Sequence, residues 1–498
     1  MSEICNDLPP VALGPGAVHP SWWRHLSSLL DRLTRPRWLA ALFLVCALPT
    51  GLGCAMLTPL GAPPDEMAAA DRADGLRLGQ FTNARFPGAG SEVMIDSGMS
   101  DLNLAMDSLI FASYDVKGNV PPSLMARAAA IRWSGRKIYC ATQMVMYFPV
   151  FYVPVALSLW AGKAAGLGPL YALYLARVLM LFSYAAMGAA ALRLARFGRG
   201  LIFVALTLPT SIVLGASCSQ DGQLIAACAL AAALLTRATP AAWGGALALL
   251  TIVALGKISY ALLMLFCLAP LRAPGLARRA GAVALAALAP ASWLLHIHGL
   301  GFAPWPWPPY HPGPLWPGDR TIWLHDAQPA NNIRVLLAHP AQILLLPLRT
   351  LAAHWHDTWR RILACVSVDF LLLRPWEYPC LVAALGFSAL APAGAGQRWR
   401  PVDAALGLLI LLGCIMSVEL SLYLTYTPAG ETLIAGVQGL YFLLLLPFFI
   451  FPLSYLMGWM PWRNLPAGLF CLPAMALALI NEVALPSFMF HLFRMAGP

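Results

Sequence analysis

Charge is scarce in this sequence. Only 11% of its 498 residues are charged and 59% are hydrophobic, whereas roughly a quarter of an ordinary soluble domain is charged. A water-soluble chain of this length could not bury so much apolar surface, so the composition predicts that lipid surrounds most of the chain. The net charge of +10 does not indicate a nucleic-acid-binding protein, because the basic residues are scattered among apolar stretches.

The sequence also lacks a Cys-x-x-Cys pair. Its 11 cysteines are dispersed and mostly lie within apolar stretches, as Cys46 and Cys228 do. We therefore interpret them as small hydrophobic residues rather than as disulfides or metal ligands. No repeat, low-complexity tract or soluble domain is found. No cleavable signal peptide is expected, because residues 1–37 are polar and end in arginines.

The arginines predict the topology, because short loops rich in Lys and Arg stay in the cytoplasm. Residues 1–37 are expected to form a cytoplasmic tail and residues 38–490 a transmembrane domain. The predicted spans are residues 38–58, 169–192, 201–216, 222–235, 241–256, 258–271, 282–295, 378–390, 404–426, 441–459 and 466–485. The expected fold is all-α, a polytopic transmembrane helical bundle of about 11 spans. Its N-terminus would be cytoplasmic and its C-terminus external.

The main feature of the predicted chain organisation is a pair of long external loops, at about residues 60–168 and 299–375. The first contains Met144–Gly166, whose prolines and aromatic rings predict an interfacial or re-entrant segment. Amphipathic helices along the membrane surface are expected there as well. The second contains an aromatic run that could stack on sugars, although an interfacial aromatic belt is favoured. That run is Trp305, Trp307, Tyr310, Trp316 and Trp323.

Adjacent acids follow the first predicted span. Asp65 and Glu66 come directly after Pro63 and Pro64, which end a helix. Acids at a membrane surface are costly to desolvate, which indicates a function. A carboxylate there could act as a general base on an acceptor hydroxyl or hold a divalent metal, so the cofactor stays open. A solvated turn after a transmembrane helix explains the same residues.

Other polar residues are predicted to reach the same external face. They are Arg72, Asp221, Lys257, Tyr260, Glu431 and Gln438. Lys257 lies between two apolar segments, where a lysine needs a partner or a water-filled cavity, although it could also snorkel to the interface. Acids beside cations are typical of a site for a phosphorylated substrate. The position in the membrane indicates a lipid phosphate.

Five blocks of the sequence together resemble a bacterial family of predicted membrane proteins, the domain of unknown function 2142. They are PPDEMAAADRADGLRLGQ, MYFPVFYVPVALSLWAG, LPTSIVLGASCSQD, the pair Lys257 and Tyr260, and TYTPAGETLIAGVQGLYF. The resemblance runs from the first span to about Pro447. That family in turn resembles the GT-C superfamily of glycosyltransferases, which use polyprenyl-phosphate sugars at the external membrane face.

The resemblance implies a glycosyltransferase of the bacterial inner membrane that serves polysaccharide biosynthesis. The sugar would pass from a polyprenyl-phosphate donor to a cell-envelope glycan or lipid. The acidic motif of the superfamily's first external loop falls on Asp65 and Glu66, and a further acid falls on Asp221. These three are the expected catalytic residues. The expected substrate- and phosphate-binding residues are Arg72, Lys257, Tyr260 and Gln438. If the site binds a lipid phosphate, Lys257 should share a cavity with Asp65 or Asp221.

Two positions depart from the family pattern. Ala69 replaces a histidine that usually follows the acidic pair, and Leu440 replaces the arginine of a Gln-Gly-Arg-Tyr block. Their loss removes a proton carrier and a phosphate clamp, so an inactive member is one alternative. Another is a transporter or flippase for envelope lipids, or an assembly partner of a polysaccharide machine. A transporter should carry polar residues in mid-span. The predicted spans carry almost none, which favours chemistry at the surface.

Overall fold

The computed structural model describes residues 21–85, 91–115, 122–271, 275–299, 329–365, 375–391, 400–427, 431–462 and 465–492, most of which are helical. The first eleven α-helices are α1 (Ser21–Leu33), α2 (Pro36–Leu57), α3 (Glu66–Arg77), α4 (Ser97–Asp115), α5 (Pro122–Ala130), α6 (Val153–Ala164), α7 (Pro169–Leu194), α8 (Arg199–Thr207), α9 (Pro209–Gly215), α10 (Gln220–Leu235) and α11 (Pro240–Gly256). The others are α12 (Leu276–Gly299), α13 (Pro329–Ala338), α14 (Gln342–Ala353), α15 (Trp355–Ala364), α16 (Glu377–Ala389), α17 (Pro401–Thr425), α18 (Leu440–Leu443), α19 (Ile450–Met457) and α20 (Ala467–Leu492). Short 3₁₀ helices lie at Gln143–Met146, Pro149–Tyr152, Ile258–Leu268 and Leu446–Phe449.

Five of the described helices are long and apolar enough to cross a membrane: α2, α7, α12, α17 and α20. Crossing the hydrocarbon core takes about 20 helical residues. Each of the five coincides with a span predicted from the sequence. The protein is therefore a membrane protein with several helices able to span a bilayer.

The other predicted spans are short or broken. α9 and α10 meet at a bend of 115°, and α13 and α14 meet at 108°, so the described residues hold up to seven spans if each pair counts once. The expected count of about 11 is not confirmed. Residues 200–229 are all buried, and a segment that is apolar on every side packs inside a bundle rather than against lipid. Apolar composition alone did not separate these two environments.

The first loop, about residues 60–168, contains a small β-sheet that the all-α prediction did not include. Strands β1 (Ala84–Arg85), β2 (Ser91–Asp96) and β3 (Lys137–Ala141) pair antiparallel in the order β1-β2-β3. Val93 and Ile95 of β2 are fully buried, because alternate side chains of a strand face one side of the sheet. The fold is therefore mainly helical rather than all-α.

The stretch Met144–Gly166 consists of two short 3₁₀ helices and the 12-residue helix α6. None of these pieces is long enough to cross a bilayer, which agrees with the expectation of a re-entrant or interfacial segment. α6 packs on α7 and α3. This places the first loop directly on the bundle.

Helix α7 joins two hydrophobic cores. Leu181 and Tyr184 belong to the core of the bundle, whereas Leu170 and Leu173 belong to the core under the first loop. Arg177 lies between these two groups in the sequence and is fully buried. A buried charge at such a junction needs a partner, and that partner belongs to the loop that carries the predicted acids.

Candidate functional site

Pro63 and Pro64 lie in the turn between α2 and α3. α2 ends at Leu57, and α3 begins at Glu66 with Asp65 as its N-cap residue at φ 60° and ψ 10°. Asp65 is the one non-glycine residue with positive φ among the residues that the structure describes. Such a conformation costs on the order of 1–3 kcal/mol and persists only where the surroundings impose it. The turn makes Asp65 and Glu66 point into different surroundings.

Glu66 faces the protein interior and forms an ion pair with Arg177. The Nε and Nη2 groups of Arg177 donate to the two carboxylate oxygens at 2.7 and 2.6 Å, and neither side chain is exposed. Glu66 also accepts hydrogen bonds from the backbone N–H of Gly61 (2.9 Å) and of Cys218 (3.0 Å). It thereby links the turn after α2 to the segment that carries Asp221.

Arg177 holds the end of α2 as well. Its Nη1 donates to the carbonyls of Ala55 (2.7 Å) and Thr58 (2.6 Å), and its Nη2 donates to the carbonyl of Pro59 (2.9 Å). The last carbonyls of a helix have no partner within the helix and carry partial negative charge, so a guanidinium is a favourable cap.

Asp221 and Lys257 form a second ion pair. Asp221 lies in the first turn of α10, where the hydroxyl of Ser219 accepts a hydrogen bond from its backbone N–H. Lys257 is the C-cap residue of α11, and its Nζ lies 2.6 Å from Asp221 Oδ1. Lys257 is 8% exposed and Asp221 is 1% exposed. The ammonium also lies 4.8 Å from the ring centroid of Tyr441, within the range of a cation–π contact.

A cavity of about 390 Å³ opens beside this pair. Its polar and aromatic lining consists of Asp65, Gln143, Tyr147, Lys257, Ser259, Tyr260, Asp357, Arg361, Ser421, Thr425, Tyr426, Gln438 and Tyr441. Its apolar lining is Met144, Met146, Ile258, Val418, Leu422 and Val437. Convergent polar groups on partly apolar walls are typical of a small-molecule site. The lining residues come from the first loop, the bundle and α15 of the second loop.

The pKa of the Asp65 carboxyl is raised above its ordinary value of 3.8. Burial is the main cause, because it disfavours the charged form. The ammonium of Lys257 opposes this effect, whereas the carboxylate of Asp221 adds to it.

The structure separates the predicted site residues into two sets. Asp65, Lys257, Tyr260 and Gln438 line the cavity, and Asp221 lies directly behind Lys257. Lys257 and Asp65 share this cavity, as expected of a site for a lipid phosphate, and Lys257 also pairs with Asp221. Tyr260 donates its hydroxyl to the carbonyl of Tyr441 at 2.8 Å, which fixes its ring in the wall.

Glu66 and Arg72 do not line the cavity. Glu66 is committed to Arg177. Arg72 is fully buried in α3, and its guanidinium donates to the carbonyls of Phe81 (2.6 Å) and Gln80 (3.4 Å). Both residues therefore hold the first loop together, and neither is placed to touch a molecule in the cavity.

Sequence reasoning missed Arg177 and the pair Asp357 and Arg361. Arg361 Nε donates to Asp357 at 2.6 Å along α15, and both side chains line the cavity. The spacing of four residues in HDTWRR was a visible signal for that pair. Arg177 is the one charged residue in the middle of the apolar helix α7, as Lys257 is between its apolar segments. The same rule that singled out the lysine applied to the arginine.

The two departures from the family pattern are packing positions here. Ala69 is 1% exposed in the core under the first loop, and Leu440 is fully buried in the core of the bundle. The aromatic run at Trp305–Trp323 and the turn residues 428–430 lie outside the described residues.

Glu431 lies in another cavity, of about 450 Å³, beside Arg334 and Arg349. None of the other predicted site residues lines it. In the described part of the chain, no group of three or more His, Cys, Asp and Glu side chains is placed to hold a metal ion.

The chain belongs to the DUF2142 family, described as a predicted membrane protein, because the model of that family matches residues 37–449. No curated protein and no solved structure matches the chain. The family resemblance deduced from the sequence is thereby confirmed.

Proposed function

We propose that this DUF2142 protein is a membrane glycosyltransferase of the GT-C type. It transfers a sugar from a polyprenyl-phosphate donor to a cell-envelope glycan or lipid at the external face of the bacterial inner membrane. The observation that carries the proposal is the cavity in which the strained Asp65 lies beside the buried Asp221–Lys257 pair. Strained residues and carboxyls with raised pKa values cluster at functional sites.

In this reaction Asp65 acts as the general base. The hydroxyl oxygen of the acceptor forms a bond to the anomeric carbon of the donor sugar, and Asp65 takes the hydroxyl proton. The bond between that carbon and the phosphate oxygen breaks, and the polyprenyl phosphate leaves with the electron pair. A raised pKa suits the task, because a base works best when its pKa approaches the working pH.

The other residues support Asp65. Asp221 keeps Lys257 charged and in place at 2.6 Å, and Lys257 in turn favours the charged form of Asp65. Tyr260 and Gln438 contribute to substrate binding through the cavity wall. Glu66 acts indirectly, through its link to Arg177 and the turn that carries Asp65. The first and second loops, about residues 60–168 and 299–375, would lie outside the cytoplasm.

The test is turnover by the purified full chain in lipid nanodiscs with a panel of polyprenyl-phosphate sugars and envelope acceptors. Asp65→Asn should lower turnover by about 10²–10⁴-fold, the usual contribution of a general base. The matched control is Asp101→Asn, at an exposed carboxylate of α4 outside the cavity. Turnover that survives Asp65→Asn would remove Asp65 from this role, and a folded chain inactive with every donor would refute the transferase.

A transporter or flippase for envelope lipids is the second candidate, and one observation favours it. Glu419 of α17 is fully buried, and neither carboxylate oxygen has a hydrogen-bond partner among the described residues. Ionisable groups within membrane helices commonly mark a transport path. Movement of a labelled polyprenyl lipid between the leaflets of reconstituted vesicles, lost in Glu419→Gln and kept in Asp65→Asn, would favour this function.

A further inference from the structure

Lys257 is poorly suited to bind a phosphate. Its ammonium is 2.6 Å from Asp221, and Asp65 is the second acid beside it. With both acids ionised, the charges of Asp65, Asp221 and Lys257 sum to −1. A phosphate brought to this end of the cavity would meet net negative charge, which is unfavourable at such distances in a site of low dielectric constant. The cation that binds a phosphate must therefore lie elsewhere in the lining.

Arg361 is the other cation of the cavity lining. Its partner there is Asp357, whose side chain is 44% exposed. An ion pair with so exposed a carboxylate contributes little energy and competes weakly with a ligand. A guanidinium has five N–H donors in a fork that matches a phosphate. The Nε group donates to Asp357 at 2.6 Å, which orients the guanidinium along α15.

The backbone around Arg361 is firmly held. The hydroxyl of Thr210 in α9 donates to the Arg361 carbonyl at 3.1 Å and accepts from the N–H of Cys365 at 2.6 Å. α15 also packs directly on Gly439, where a Cβ would overlap the carbonyl oxygen of Thr358. Because the backbone of α15 is already held, a ligand that binds there does not have to order the helix.

The neighbouring Gln438 needs a partner. Its Oε1 is buried and has no hydrogen bond from any described residue. A buried amide oxygen without a donor costs about 1–3 kcal/mol, so a ligand hydroxyl there would remove that cost. An arginine and an unsatisfied amide oxygen in one cavity suit a ligand that carries both a phosphate and hydroxyl groups.

We propose that Arg361 of α15 binds the phosphate of the substrate in this cavity, with Gln438 accepting a hydrogen bond from a sugar hydroxyl. Lys257 instead balances the negative charges of Asp221 and Asp65. The identity of the ligand as a polyprenyl phosphate rests on the proposed function. The phosphate subsite itself rests on the lining residues.

The test measures binding of a fluorescent polyprenyl monophosphate, and of the matching polyprenol, to the full chain in nanodiscs. Wild type should prefer the phosphate. Arg361→Gln should weaken phosphate binding by about 10–100-fold, as expected when a hydrogen-bonded charge is lost, and leave polyprenol binding unchanged. Arg361→Lys should recover part of the affinity, since it keeps the charge and loses the fork. The matched control is Arg360→Gln, which removes a neighbouring arginine that contacts the ring of Tyr378 outside the cavity.

The double variant Lys257→Met with Asp221→Asn separates the two cations, because it removes the ion pair and keeps the net charge of the site. It should change phosphate binding by less than about threefold. A phosphate preference that survives Arg361→Gln, or that disappears in this double variant, overturns the inference. Loss of polyprenol binding in Arg361→Gln also overturns it, because a residue that binds only the phosphate should not affect a ligand that lacks one. Displacement of the probe by inorganic phosphate would keep the subsite and assign it to free phosphate.

Binding and turnover fail independently. A phosphate preference that depends on Arg361 without any sugar transfer keeps the subsite and refutes the transferase. Transfer by Arg361→Gln with the wild-type KM for the donor refutes the subsite and keeps the transferase.

Discussion

Replacing Arg177 by Met should destabilise the protein more than any other single arginine substitution in the first loop or α7. The guanidinium donates five hydrogen bonds, two to Glu66 and three to carbonyls at the end of α2. The substitution leaves a buried carboxylate without its cation. Removing one partner of a buried ion pair costs about 3–5 kcal/mol. That is a large share of the roughly 5–15 kcal/mol that holds a typical domain folded.

The assay is reversible unfolding of the purified chain in mixed micelles, with the free energy of unfolding measured for each variant. The matched control is Arg136→Met, at an exposed arginine before β3, which should stay within about 0.5 kcal/mol of wild type.

The double variant Arg177→Met with Glu66→Gln tests the cause of the loss. It removes both charges, so its loss in the free energy of unfolding should be smaller than the summed losses of the two single variants by about 0.5–3 kcal/mol. Arg177→Met and Arg136→Met with equal stability, or strict additivity in the double variant, would refute the reasoning. The first result would mean that Glu66 finds another partner, and the second that the pair does not interact.

Three further predictions concern catalysis, topology and packing. The pKa of Asp65 is raised and the base must be ionised, so kcat/KM should fall as the pH is lowered through a value above 3.8. A pH profile of kcat/KM that stays flat down to pH 3.8 would contradict this. Reporter fusions at Gly90 should report an external position and fusions after Arg199 a cytoplasmic one, and a cytoplasmic Gly90 would remove the site from its proposed face. Gly439→Ala should loosen α15 and lower thermal stability, whereas Gly244→Ala in α11, where nothing lies near the added Cβ, should not.

The long spans could be predicted because their length follows from the thickness of the bilayer. The positions of α2, α7, α12, α17 and α20 match predicted spans. The short apolar segments could not be assigned in the same way. A run of alanines and leucines has the same composition whether it faces lipid or, as in residues 200–229, other helices.

The sheet of the first loop had only a faint signal. β2 has six residues, β3 has five and β1 has two, and they lie in a polar loop that was expected to hold helices. Pairing of β2 with β3 brings Val93 opposite Cys140, 47 residues later in the chain. Such non-local pairing depends on tertiary packing, which periodicity within a single segment does not reveal.

The adjacent acids show why the site was only partly predictable. In the sequence Asp65 and Glu66 are equivalent neighbours, and both were expected to be catalytic. A buried lysine between apolar segments demanded a nearby acid, so the Asp221–Lys257 pair could be anticipated from energetic cost alone. Asp65 lines the cavity and has a positive φ, whereas Glu66 is bound by Arg177. Arg177 lies 111 residues beyond Glu66 and also binds the end of α2, so it holds both sides of this turn. We infer that the ion pair stabilises the fold and, by holding the turn, directs Asp65 toward the substrate, so substitutions at Arg177 should impair turnover even in molecules that remain folded.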